Sequence, residues 1–90
     1  MLREETNHHA PDLLAVRALG WIVSEPARAS RLLALTGLTP DALRASLGAP
    51  ATLAAVLVFL EAHEPDLLAC AEAIGATPAE LVEARRSLEQ

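Results

Sequence analysis

The ninety-residue sequence contains no lysine and no tyrosine, and Trp21 and Phe59 are its only aromatic residues. Residues that favour strands are therefore scarce, whereas alanine and leucine, which favour helices, supply most of the 52% hydrophobic content. Every positively charged side chain is an arginine, and the net charge is −5. This acidic balance disfavours nonspecific attraction to nucleic acid or to anionic membranes. The composition predicts a small, soluble, all-α protein.

Cysteine is also scarce, because Cys70 is the only one. A single cysteine excludes an intrachain disulfide and a cysteine-pair zinc site. Since the sequence also has no His-x-x-x-His pair, we expect no metal and no other cofactor. Cys70 shares one face of a predicted helix with Leu67 and Ile74. We therefore interpret it as a small buried hydrophobic residue rather than a nucleophile.

Long hydrophobic runs are absent. The longest, Leu53–Leu60, falls far short of the roughly 20 apolar residues that a membrane span requires. The first nine residues are polar and acidic and contain no apolar stretch of the signal-peptide type. We therefore expect a cytoplasmic protein without membrane contact.

Proline and glycine divide the sequence into six short predicted helices. Residues 1–10 are predicted to form a flexible N-terminal tail, and residues 11–90 a single helical domain. The first four helices and the last are expected over residues 12–23, 26–36, 40–47, 51–63 and 78–88. The fifth opens at Glu64-Pro65-Asp66 and closes at Gly75.

The second half of the sequence resembles the first half at an offset of about 38 residues. Gly37-Leu38-Thr39-Pro40 aligns with Gly75-Ala76-Thr77-Pro78, and Trp21-Ile22 aligns with Phe59-Leu60. Two three-helix repeats that pack together would explain this pattern. They would cover residues 12–48 and 50–88. The alternative is coincidence, because Gly-x-Thr-Pro is a common connector between helices.

The predicted helix at about 51–63 carries no polar stripe between Leu53 and Leu60. Because a helix that is apolar all round is normally buried on all sides, we expect this helix to be central. Helix one is also nearly all apolar, so some of its surface is expected to be shared with a partner. The predicted core comprises Leu14, Trp21, Leu33, Leu43, Val56, Leu57, Phe59, Leu60, Leu67, Ile74 and Leu81.

Trp21 and four arginines are the candidate interaction surface. Arg28 and Arg31 lie one turn apart on the second predicted helix, Arg44 follows on the third, and Arg17 interrupts the apolar first helix. Such arginines could bind an acidic partner, but they could also form ordinary solvated helix faces. Arg17 could pair with a carboxylate or extend its charged end to water. The sequence leaves open whether the arginines form one patch.

A helix-turn-helix at about 66–88 is the alternative functional interpretation. Ala71, Gly75 and Leu81 have the spacing of its small residue, turn glycine and buried apolar residue. Two helices packed across any tight turn need the same residue types. The predicted recognition helix also presents two acids early and arginines only near its end, so nucleic acid binding is not favoured.

Catalytic motifs are missing, since no Gly-x-Ser-x-Gly elbow, glycine-rich phosphate loop or Ser/His/Asp pattern occurs. We therefore do not expect an enzyme. The leading hypothesis is a non-enzymatic module for protein–protein interaction or self-association, whose partner is a second copy (a homodimer) or an unidentified protein. A DNA-binding transcriptional regulator is the alternative.

Several segments together resemble a known family. They are Ala18–Ile22, Leu33–Arg44, Phe59-Leu60 and Ala84-Arg85, and the most specific is Thr36-Gly37-Leu38-Thr39-Pro40 with Trp21 upstream. Over most of its length the sequence is similar to small proteins, common in alphaproteobacteria, that are known only as a domain of unknown function. The resemblance implies a short cytoplasmic bacterial protein and brings no activity or catalytic residues with it.

Overall fold

The computed structural model describes residues 10–90, and within that range all regular structure is helical. The predicted tail at residues 1–10 lies outside the described residues except for Ala10. No helix of the described part has the length and apolar content needed to cross a membrane. The six helices are α1 (Pro11–Val23), α2 (Pro26–Thr36), α3 (Pro40–Ala45), α4 (Pro50–Glu61), α5 (Glu64–Ile74) and α6 (Pro78–Leu88).

Each helix carries a proline at its first or second position. Proline suits this place because its fixed φ matches the helix and its missing N–H would have no partner there. The prolines therefore explain why the predicted helix starts agree closely with the structure. The helix ends agree less well, and two of them need correction.

Helix α3 ends at Ala45 rather than at the predicted residue 47. The hydroxyl of Ser46 donates to the carbonyl oxygen of Ala42, and this local bond competes with continuation of the helix. Helix α4 ends at Glu61 rather than at residue 63. His63 is already extended, with φ −140°, as the N-cap of α5, so α4 has to stop before it.

The connections before α3 and α6 have the same local geometry. Gly37 and Gly75 end α2 and α5 in the left-handed conformation, with φ of 74° and 76°, which costs glycine little. Thr39 then caps α3, and Thr77 caps α6. Both turns of the predicted Gly-x-Thr-Pro pattern thus form as expected.

The core lies where α1, α4 and α6 pack against one another, with α2 and α5 lying against this group. Helix α4 is central, as predicted. Its Val58 is nevertheless 45% exposed, because the neighbouring helices cover the other faces. The expectation that α4 is buried on all sides is therefore wrong at this one face. The largest fully buried side chains are Ile22, Leu32, Val56, Leu57, Leu60, Cys70 and Leu81.

Most of the predicted core is confirmed. Trp21, Leu33, Leu67 and Ile74 are only partly buried but pack against the core cluster, and the other predicted residues are buried. Several small and apolar side chains outside the predicted core set complete the core. They are Ala15, Ala18, Leu19, Ile22, Leu32, Leu53, Ala54, Ala71 and Ala84.

Candidate interaction surface

Helix α1 is apolar on two opposite sides, and within residues 10–90 only one of them is covered. The covered side faces the core and comprises Leu14, Ala15, Ala18, Leu19 and Ile22. On the other side, Leu13, Val16 and Val23 are 44%, 43% and 47% exposed, and Gly20 is exposed between them. We call these four residues the α1 outer face.

The α1 outer face is a continuous stripe because its residues follow one another at spacings of three, four and three. Positions separated by three or four residues lie next to each other on a helix. The stripe itself contains no charged side chain. The only charged residues of α1, Asp12 and Arg17, lie on either side of it.

Two depressions continue this apolar surface toward α3. One is a groove of about 340 Å³ between α1, α2 and α3, which Val23 lines together with Leu47 and Arg44. The other, of about 280 Å³, is lined by Leu13, Val16 and again Leu47. The α1 outer face is therefore the ridge of a wider apolar region.

The structure brings Trp21 and Arg28 together. The guanidinium of Arg28 lies 3.8 Å from the centre of the Trp21 ring, and its Nη2 donates to the Trp21 carbonyl oxygen at 2.9 Å. Its Nη1 donates to Glu25 Oε1, also at 2.9 Å. The Arg28 side chain is only 17% exposed. It therefore fixes the corner between α1 and α2 and offers little charge to a partner.

Arg17 and Arg31 also bridge helices. Arg17 Nη2 donates to the carbonyl oxygen of Ile74 at 2.8 Å, at the C-terminal end of α5. Arg31 Nη2 lies 2.9 Å from Asp66 Oδ2 on α5, and its guanidinium lies 5.5 Å from the centre of the Phe59 ring. Each arginine ties α5 to a different helix of the first half.

Arg44 differs from the other three arginines. Its partner is Asp41 on the same helix at 2.8 Å, and the two side chains are 71% and 93% exposed. Such a pair contributes little stability, so Arg44 stays available at the edge of the groove. Among the described residues, no two of these four arginines share a hydrogen-bond or ion-pair partner.

Arg85 and Arg86, in the last turn of α6, lie close to carboxylates. Arg85 donates to both carboxylate oxygens of Glu61 on α4, at 2.8 and 3.1 Å, and to Glu89 at 2.9 Å. These bonds, first of all those to Glu61, raise the pKa of Arg85 above its ordinary value. Arg86 lies 3.9 Å from Glu83. Arg85 therefore links α6 to α4.

Cys70 is fully buried on α5, as predicted. Burial raises the pKa of its thiol from 9.0 to about 11, an effect that nearby Asp66 reinforces and Arg28 opposes. At neutral pH the thiol is therefore protonated and unreactive.

Sequence analysis proposed Trp21 and an unspecified part of the helix-one surface as contacts for a partner. It did not identify the four residues of the α1 outer face. The 3–4–3 spacing of apolar residues is visible in the sequence. The core side of the same helix is apolar too, so the sequence alone did not reveal which side stays uncovered.

Over residues 10–90, the six helices and their shared core define a small all-α fold. Residues 8–90 match the model of the protein family of unknown function DUF3572, and the chain belongs to that family. The resemblance to a domain of unknown function is thereby confirmed. Comparison with curated proteins and with solved structures gave no match.

Proposed function

We propose that this protein is a non-enzymatic interaction module that associates with a second copy of itself through the α1 outer face. The observation that carries the proposal is the pair of apolar sides on α1. One side is buried in the core, while Leu13, Val16 and Val23 on the other remain more than 40% exposed. Apolar residues grouped on one exposed face favour association, whereas scattered ones need no explanation.

A second copy is the simplest occupant of this face. Two-fold dimers are the commonest closed assemblies, and each copy brings the same apolar surface. The stripe contains no charged side chain, so contact there would bury no charge. The proposed compartment is the cytoplasm, where an unpaired thiol such as Cys70 stays reduced.

Sedimentation equilibrium of the full chain at roughly 5 to 500 µM tests the proposal. We expect the average mass to rise from 9.5 kDa toward twice that value with concentration. Val16→Glu places a charge in the centre of the face and should keep the protein monomeric. Val58→Glu is the matched control, because Val58 is similarly exposed, 45% against 43% for Val16, but lies on α4.

Two results would contradict the proposal. A wild-type protein that stays monomeric at the highest concentration would exclude self-association. Equal loss of association in both variants would place the interface elsewhere or indicate unfolding. Circular dichroism of both variants distinguishes these two causes.

DNA binding through α5 and α6 is the second candidate, and the turn between these helices favours it. Gly75 is left-handed, while Ala71 and Leu81 are 1% and 0% exposed, as in a helix-turn-helix. The pairing of Arg85 with Glu61 and Glu89 leads us to rank this function below self-association, because paired arginines contribute less to phosphate binding. Fluorescence anisotropy with random duplex DNA at low salt should show no binding.

A further inference from the structure

Gly20 is a helical glycine that the fold itself does not require. It lies within α1, where glycine is among the least favourable residues. A Cβ at this position would meet no atom within 4 Å, so an alanine would fit without strain. Packing within the described part of the monomer therefore gives no reason for a glycine at this position.

The spacing of residues along the α1 outer face is the same in both chain directions. Its members, Leu13, Val16, Gly20 and Val23, are spaced three, four and three residues apart. Two antiparallel copies of α1 can therefore lie face to face about a two-fold axis near position 18. Leu13 then lies opposite Val23 of the partner, and Val16 lies opposite Gly20 of the partner.

This pairing places the Val16 side chain opposite Gly20, which has no side chain. At Gly20 the helix surface has a notch, and Val16 of the partner fills it, so the two helix axes come close together. The antiparallel arrangement also sets the positive end of each helix dipole beside the negative end of the other. A parallel arrangement would instead place the two Gly20 notches opposite each other and leave them empty.

We propose that two copies pair through antiparallel α1 helices, with Val16 of each seated in the Gly20 notch of the other. The inference rests on the proposed self-association and specifies its geometry. One helix of 13 residues buries less than the roughly 800 Å² per partner of a standard interface. We therefore expect the association to be weak and to appear only at high protein concentration.

Substitutions of Gly20 test the notch through two effects of opposite sign. Gly20→Ala should raise the melting temperature of the dilute monomer, because alanine favours the helix, yet weaken the dimer about threefold to tenfold. Gly20→Leu should abolish association while the monomer still folds. A Gly20→Leu protein that dimerises as tightly as wild type would overturn the inference.

Cysteine pairs test the antiparallel register. Mixed Val16→Cys and Gly20→Cys proteins should form a disulfide-linked heterodimer on mild oxidation. Val16→Cys alone should not, since the two copies of residue 16 are offset by four positions, about 6 Å along the axis. Wild type is the control, because buried Cys70 gives no crosslink.

The outcomes separate this inference from the proposed function. Crosslinking of Val16→Cys with itself, together with loss of association in Val16→Glu, would retain the α1 outer face and overturn the antiparallel register. A monomeric wild type would overturn both. Preferential linkage of residue 16 to residue 20 would support both.

Discussion

Helices α3 and α6 follow the same kind of turn and then differ in what they contact. Each is preceded by a left-handed glycine and capped by a threonine that accepts a bond from the amide three residues later. Helix α6 runs for eleven residues and packs closely against α1 and α4. Helix α3 runs for six and buries only Leu43.

The comparison shows that equal local signals do not give equal roles. The turn and the cap decide where each helix begins, whereas buried side chains decide whether it becomes part of the core. Helix α6 buries Leu81 and Ala84 and is joined to α4 through Arg85 and Glu61. The charged pair of α3, Arg44 and Asp41, faces solvent instead.

Truncation of the equivalent core leucines should give the largest difference between the two helices. Leu81 is 0% exposed in the centre of the bundle, and Leu43 is 8% exposed at its edge. We expect Leu81→Ala to lower the free energy of unfolding by about 4 kcal/mol and Leu43→Ala by about 2 kcal/mol. Urea denaturation measures both, and equal losses would place α3 in the core on a par with α6.

Alkaline pH should reveal a second difference between the two halves of the chain. Leu32 and Cys70 are 38 residues apart, so they hold equivalent positions, and both are buried. Only Cys70 can lose a proton. Well below pH 9 the Cys70 thiol is protonated in both the folded and the unfolded chain, so it does not change the stability. Between pH 9 and 11 the unfolded thiol loses its proton first, because burial raises the folded pKa to about 11. Stability should therefore fall as pH rises, by on the order of 2 kcal/mol at pH 11.

The Cys70→Ala variant is the control for this alkaline effect. The chain has no lysine or tyrosine, so no other side chain titrates in the same interval. Urea titrations at pH 8, 9, 10 and 11 should show a loss for wild type alone, relative to each protein's own value at pH 8. A parallel loss in Cys70→Ala would exclude the thiol as the cause.

Removal of the threonine caps should have a smaller effect. Thr77 takes part in a complete capping box with Glu80, whereas Thr39 accepts one amide bond only. Thr77→Ala should cost about 1 kcal/mol and Thr39→Ala clearly less, since α3 contributes less to the core. Thermal unfolding followed by circular dichroism compares them, and a larger loss for Thr39→Ala would disprove this ranking.

The smallest effect should come from making the two caps alike. Ala42 stands at the position in α3 that Glu80 holds in α6, and it is exposed. Ala42→Glu should complete the capping box of α3 and stabilise the protein by a few tenths of a kcal/mol. Ala45→Glu, an exposed change at the last residue of the same helix, is the control and should not stabilise.

Sequence reasoning succeeded where the signal was local. Prolines, turn glycines and the Thr-x-x-Glu pattern act within a few residues, so the number of helices and most of their bounds followed from them. It did not find the partners of the arginines. Arg17 bonds to Ile74, 57 positions away, and Arg85 to Glu61, 24 positions away. Such contacts depend on how the helices pack, which a single sequence does not state.

The arginine contacts at helix ends have a consequence for how the protein opens. The last turn of α1 contains no basic residue, and neither does that of α5. Instead, Arg28 of α2 bonds to the carbonyl of Trp21, and Arg17 of α1 bonds to that of Ile74. Fraying of either end therefore requires a contact between two helices to break, so hydrogen exchange near these carbonyls should report cooperative opening rather than independent local motion.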